Sequence, residues 1–334
     1  MKRISTSRLL AIAACLAVLS SGTRAEEVAN NVLSIGISGA HGGAIDSLRV
    51  LGVETVNTAD LGRHIQAVHF FPFADLPAGT PSCNGPKPPW AAPQDAGDQC
   101  GGTSQVYALG SSDRKRLNAG MRPREWATGE TFPGLRHETH VTLGPLAYSD
   151  ALEIAELKYQ IFWDATFAGQ KPLPVKHAVG AGNGATPVPF IPAAYFDSKT
   201  LTRLYGLSID GADWQEVAPT VSRDGNYAPS NYRFRAMAWM RPDLSWGVGF
   251  YSRRTLDQGC HGVTFPMALP MQAGQCPNFA TQAFPNHGTN NLSVVDQTSG
   301  TLAPGQGIEL ISHLLVGNLG TIQQNVNRVF TSGH

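Results

Sequence analysis

The sequence predicts an all-β protein, a large sandwich of antiparallel strands, and three observations carry that prediction. Strand-like runs follow one another along most of the chain, with spacing and β-branched content that favour extended structure. With 36 glycines and 23 prolines among 334 residues, turns interrupt the chain too often for long helices. Gly307 to Val316 is apolar on both faces, as suits a strand in the middle of a layered core.

Ahead of the strands, Lys2, Arg3 and Arg8 precede an apolar run from Leu9 to Leu19, followed by small residues and a cleavage point after Ala25. This is the pattern of a secretory signal peptide, residues 1–25, and predicts a periplasmic or secreted protein. The run is too short and too poorly flanked to anchor the chain in a membrane. Ile12-Ala13-Ala14-Cys15 resembles a lipoprotein box, although Cys15 falls in the middle of the apolar run. Residues 26–334 contain no linker, charge block or repeat, and are expected to form a single β-sandwich domain.

Val32 to Ile37, Ile45 to Leu51 and Gln66 to Phe71 read as the first strands, followed by a polar, proline-rich insertion from Pro72 to Gly102. Strand character resumes at Ser104 to Leu109, Leu135 to Leu143 and Leu152 to Trp163. Phe234 to Ser252 reads as two strands around the proline turn Arg241-Pro242-Asp243. Leu302-Ala303-Pro304-Gly305 then turns the chain into Gly307 to Val316. Beyond Gly317, Ile322, Val326, Val329 and Phe330 recur at helical spacing, predicting a short amphipathic helix packed on the outside.

Past the leader, Cys83, Cys100, Cys260 and Cys276 remain, an even number that predicts two disulfides in an oxidising compartment. Pairing Cys83 with Cys100 and Cys260 with Cys276 closes two short loops, although four cysteines allow three connectivities. Neither pair has the close spacing of a zinc finger, so no metal is expected. Lysine plus arginine and aspartate plus glutamate number 25 each, leaving no excess charge to collect phosphates or anionic lipid. Nucleic acid and membrane surfaces are therefore not expected partners.

Polar side chains concentrate between Gly42 and Phe71. Asn57, Asp60, Arg63, His64 and Gln66 lie within ten positions and suit a polyhydroxylated ligand, although Asp60 and Arg63 are equally suited to an ion pair closing a turn. In Arg136-His137-Glu138-Thr139-His140, strand alternation puts Arg136, Glu138 and His140 on one face and turns His137 toward Leu135 and Val141. The bland alternative pairs Glu138 with Arg136 at the surface and makes His137 a buried, hydrogen-bonded histidine. The two histidines stand three apart in a strand, not four apart on a helix, which excludes the metalloprotease pattern. No G-x-S-x-G elbow is present.

Aromatic side chains offer flat faces for sugar C–H groups, and Trp90, Trp126, Tyr227 and Tyr232 are candidate platforms, with His261 and Asn286-His287 in late loops. Trp163 and Trp239, inside alternating strands, read as core.

The run from Gly42 to Gln66, the piece Trp90 to Asp98, Pro123-Arg124-Glu125-Trp126, Trp239 to Tyr251 and the turn Thr301 to Gly305 together resemble a group of secreted proteins similar to the galactose mutarotase-like superfamily. The resemblance covers most of the mature chain and implies a β-supersandwich that recognises sugars. Its motifs are turns and strand edges, so it assigns no residue a catalytic role, and the same sandwich serves several chemistries. The expectation is a carbohydrate-active enzyme of hydrolase, lyase or epimerase type without cofactor. Asp60 or Glu138 would act as base and a histidine, His64 or His140, as acid. Asn57, Arg63, Gln66, Trp90, Trp126, His261 and His287 would hold the substrate. Hydrolysis would draw its two carboxylates from Asp60, Asp98, Glu125, Glu130 and Glu138. A non-catalytic glycan-binding protein is the alternative.

Overall fold

Two large sheets face one another across an apolar core in this computed structural model. The residues described are 25–59, 61–69, 71–72, 82–83, 90–131, 134–145, 150–164, 173–174, 189–223, 230–252, 279–295, 301–302 and 305–332. The predicted leader, including Cys15, lies outside them.

The first sheet has nine antiparallel strands in the order Trp214–Val217, Arg203–Leu207, Ala236–Met240, Gly247–Tyr251, Gly307–Gly317, Ile154–Trp163, Leu135–Leu143, Arg116–Arg122 and Gln105–Ser112. The doubly apolar strand is thus the middle one. The second sheet, of eight strands, runs Arg124–Glu125, Pro93–Gln94, Gln66–His69, Pro189–Asp197, Thr289–Val295, Phe279–Phe284 and Thr220–Val221, with Ser230–Tyr232 also pairing to Phe279–Phe284. One pairing departs from the antiparallel expectation: Thr220–Val221 runs parallel to Phe279–Phe284. A four-stranded sheet, Ala25–Ala29, Leu33–Ser38, Ile45–Val50 and Val53–Glu54, joins the second through backbone bridges from Ile45 to Ile65 and from Val56 to Phe196.

The core between the sheets includes Leu157, Tyr159, Trp239, Val248, Phe250 and Leu314 from one side and Ala67, Phe196, Phe279 and Leu292 from the other. Trp239 also donates its indole N–H to the Asn291 carbonyl at 3.1 Å, tying the layers together. As expected of strand tryptophans, Trp163 and Trp239 are buried.

On the outward side of the nine-stranded sheet, the helix Leu319–Ser332 covers one half. Ile322, Val326 and Val329 pack with Ile154, Tyr205, Leu207, Ala236, Ala238, Met240, Tyr251 and Leu315. Phe330, expected on the buried face, is 40% exposed and lies instead beneath the Arg235 guanidinium, 4.4 Å from its carbon. Ile311 is likewise 36% exposed, because it sits in the middle strand beyond the part packed by the helix. The other half of the outward face carries polar side chains.

The sequence-predicted strand Leu135–Leu143 appears with those bounds, and buried and partly exposed residues alternate along it without a break. The turn at Arg241-Pro242-Asp243 separates Ala236–Met240 from Gly247–Tyr251, as expected. Strands absent from the sequence reading, among them Phe279–Phe284 and Thr289–Val295, bury Thr281, Gln282, Asn290, Asn291 and Ser293. Their polarity hides them, yet these groups bond inside the protein, as when the Asn291 amide donates to the Ala194 carbonyl at 3.0 Å.

Candidate functional site on the outward sheet face

The half of the nine-stranded sheet left bare by the helix bears Tyr107, Asn118, Arg136, Glu138, His140, Lys158, Gln160, Phe162 and Glu309. Register explains the assembly: Glu138 stands opposite Gly120 and Gln160, and Gln160 opposite Glu309. Side chains of one parity therefore form a row across adjacent strands.

Glu138 Oε2 lies 3.6 Å from His140 Nε2, and both side chains are 27% exposed. Arg136 approaches Glu138 at 3.7 Å and Asp164 at 3.8 Å, with its guanidinium over the Phe162 ring at 5.0 Å. His140 Nδ1 faces the Asn118 amide oxygen at 2.7 Å, and Nε2 faces the Gln160 amide oxygen at 3.2 Å. The Gln160 amide nitrogen donates to Glu309 at 2.7 Å. That bond to a carboxylate, which can only accept, fixes the amide orientation and makes His140 Nε2 the donor toward Gln160. A transferable proton is thereby held beside the Glu138 carboxylate.

Tyr107 reaches this pair through a β-bulge. Val106 pairs with Met121 and Ala108 with Gly120, leaving Tyr107 as the extra residue. Its ring crosses Gly120, where an added β-carbon would sit 2.5 Å from a ring carbon, and its hydroxyl donates to Glu138 at 3.2 Å. Burial, and secondarily the Glu138 charge, raises the Tyr107 phenol above its ordinary pKa, keeping it a donor.

His137, on the same strand but the opposite face, is buried and bonds through Nδ1 to Asp95 Oδ1 at 2.6 Å. Asp95 also accepts the Ala67 backbone N–H at 2.7 Å. The hydrogen-bonded buried histidine expected as the bland reading is therefore what the structure contains.

The polar cluster near residue 60 lies elsewhere. Glu138 faces outward, whereas the His137 face meets Asp95 and the strand Gln66–His69, so the nine-stranded sheet separates Glu138 from that layer. The expected combination of Arg63, His64 and Gln66 with Glu138 is not assembled. Gln66 is buried, its amide oxygen accepting from Ala96 at 2.8 Å and its nitrogen facing Gly62 and Gln94 oxygens at 3.2 and 3.3 Å. Its hydrogen-bonding groups are committed within the fold. Asn57 is likewise engaged, donating to the Gly288 carbonyl at 2.8 Å and accepting from Ala59.

His64 is completely buried, with its pKa lowered to about 3 by burial and by His41. Arg63 and His287 are neighbours: burial lowers both pKa values, and the Arg63 charge adds to the shift at His287. Tyr195, also beside Arg63, is raised to about 12 by burial.

Asp98 and Glu125, considered as hydrolytic carboxylates, are buried among protein donors. Asp98 pairs with Arg124 and accepts from the Cys100 and Gly102 N–H groups at 2.8 and 2.9 Å. Glu125 accepts from Ala92 at 3.0 Å and Thr128 at 2.6 Å. Glu130 is exposed. Trp126 is part-buried, and its backbone ties the Ala92 and Gln99 segments together. Cys83 and Cys100 form the expected disulfide. Asp60, Tyr227, Cys260, His261, Cys276 and the Trp90 side chain lie outside the described residues.

Sequence reasoning found Glu138 and His140 and missed Tyr107, Asn118, Gln160 and Glu309. Alternation marked the face of one strand, but nothing in the sequence set the register that aligns it with its neighbours.

No family model and no curated protein matches the sequence. Among solved structures, the chain is similar to a candidate aldose 1-epimerase from Escherichia coli K12 at 13% identity, covering 89% of this chain and 100% of that one, with a TM-score of 0.47. It is also similar to a galactose mutarotase-like protein from Lactobacillus casei ATCC 334 at 12% identity, covering 88% and 100%, with a TM-score of 0.46. The Slr1438 protein from Synechocystis sp. PCC 6803 is 11% identical, with 95% and 100% covered and a TM-score of 0.46. At these values the likenesses carry no residue role to this chain.

Proposed function

We propose that the bare half of the outward sheet face is a carbohydrate site, at which Glu138 and His140 act as base and acid on the anomeric centre of a sugar. The 3.6 Å approach of the two groups on a partly exposed face carries the reading. Mutarotation takes a proton from the anomeric hydroxyl and delivers one to the ring oxygen, atoms bonded to the same carbon. A base and acid this close serve both ends of that short path. Asn118, Gln160 and Arg136 supply the amide and guanidinium groups that sugar hydroxyls bond, and Phe162 and Tyr107 supply aromatic surface. The resemblance of the sequence to the galactose mutarotase-like group supports the same reading.

Glu138→Gln and His140→Asn, assayed separately on a panel of aldoses by polarimetry, are expected to lower turnover by about 10²- to 10⁴-fold while sugar binding persists. Wild-type turnover in both variants would refute the assignment. A wild-type protein that binds sugars but turns none over, with reducing ends and unsaturated products also monitored on polysaccharides, would establish the non-catalytic reading.

We further propose that the protein is exported and cleaved. The charged start and apolar run of the leader support this, as does the Cys83–Cys100 disulfide, a bond characteristic of oxidising compartments. N-terminal sequencing of protein recovered from outside the cytoplasm should begin at Glu26; an intact leader would refute the proposal.

A further inference from the structure

We infer a divalent metal site of the imidazole-binding, borderline kind, such as Zn²⁺ or Cu²⁺, held by His41 and His64 with Asp46 behind His41. The two rings lie with centroids 4.9 Å apart and planes at 49°. A metal at about 2.05 Å from a ring nitrogen stands about 3.2 Å from that ring's centre, so two imidazoles subtending about 100° at one ion place their centroids about 4.9 Å apart. The observed spacing falls at the short end of what a shared ion allows, about 4.9 to 5.2 Å for angles of about 100° to 110°.

His64 is wholly buried, and neither of its ring nitrogens has a hydrogen-bond partner among the described residues. Such an orphan carries an uncompensated desolvation penalty unless something binds it. His41 is 37% exposed and bonds through Nδ1 to Asp46 Oδ2 at 2.7 Å, which leaves Nε2 for a ligand. A carboxylate on the far nitrogen of a ligating histidine orients the ring and raises its basicity.

Both histidines are fixed by backbone. His41 closes the turn Gly39–His41, and Gly42 follows at φ 62°, so close to the next layer that an added β-carbon would meet the Ala96 and Asp95 carbonyl oxygens at 2.3 and 2.4 Å. His64 precedes Ile65, whose backbone exchanges hydrogen bonds with Ile45 at 3.0 and 3.1 Å. The pair is preorganised, with His41 on its partly exposed side.

The inference is independent of the sugar site, since none of its residues lies on the outward face of the nine-stranded sheet. Zn²⁺ titrated into the mature protein by calorimetry is expected to bind once per chain, and Cu²⁺ should give an electron paramagnetic resonance spectrum with coupling to two imidazole nitrogens. His41→Ala, at an exposed position that leaves the core intact, should weaken binding at least 100-fold, and Asp46→Asn about tenfold. His287→Ala should leave Zn²⁺ binding unchanged. Absence of saturable binding, binding that survives His41→Ala, or a spectrum with fewer than two nitrogens would overturn the site and reduce the ring pair to an aromatic contact.

Discussion

Asp95 and His137 meet between the two large sheets, Oδ1 to Nδ1 at 2.6 Å, with both side chains shut away from solvent. Asp95 also caps the Ala67 N–H, so one carboxylate serves a partner in each layer.

Removing it strands both partners in the interior. Asp95→Ala is expected to lower unfolding free energy by about 3–5 kcal/mol, read from urea denaturation. A loss below about 1 kcal/mol would show that the contact is not structural.

The Tyr107 ring needs the missing side chain at Gly120. Gly120→Ala should displace the ring from Glu138 at a cost of about 1–3 kcal/mol. On the proposed function it should also reduce turnover, whereas Tyr107→Phe, which keeps the ring but not the hydroxyl, isolates the hydrogen bond. Unchanged stability and activity in Gly120→Ala would refute the close approach.

Stability should depend on pH through His64. Its folded pKa is about 3 against an ordinary 6.5, so between those values the unfolded chain binds a proton that the folded chain refuses. The contribution is complete above about pH 6.5 and is lost as pH falls toward 3, at up to about 1.4 kcal/mol per unit. Urea midpoints from pH 7 to 4, compared between wild type and His64→Gln, should show a shallower fall in the variant. Parallel curves would contradict the assignment.

The Cys83–Cys100 bond closes a loop with a sequence separation of 17. Replacing both cysteines by alanine should cost about 2–4 kcal/mol in thermal or urea unfolding. An unchanged midpoint would show that the surrounding hydrogen bonds suffice to order the loop.

The fold was legible wherever composition and burial agree. Leu135–Leu143 alternates without interruption, and Gly307–Gly317 is apolar enough to be placed at the centre of a sheet. Thr289–Val295 was not legible, because its buried side chains are largely amides and hydroxyls satisfied within the protein, as with Asn290 and the Leu201 carbonyl at 2.7 Å. The dense polar run around Arg63 drew attention as a ligand site, yet Gln66 and Asn57 spend their hydrogen bonds fastening segments to each other. Only pairing with the neighbouring strands distinguishes such fasteners from the outward row containing Glu138.

The position of Gly307–Gly317 at the middle of its sheet has a kinetic consequence. Its partner Ile154–Trp163 lies about 150 residues earlier, so the two halves of the sheet cannot be joined until nearly the whole chain has emerged. A chain caught during synthesis, before Gly307–Gly317 is made, would have this ladder unzipped and would hold the facing edges of Gly247–Tyr251 and Ile154–Trp163 open to wrong pairing.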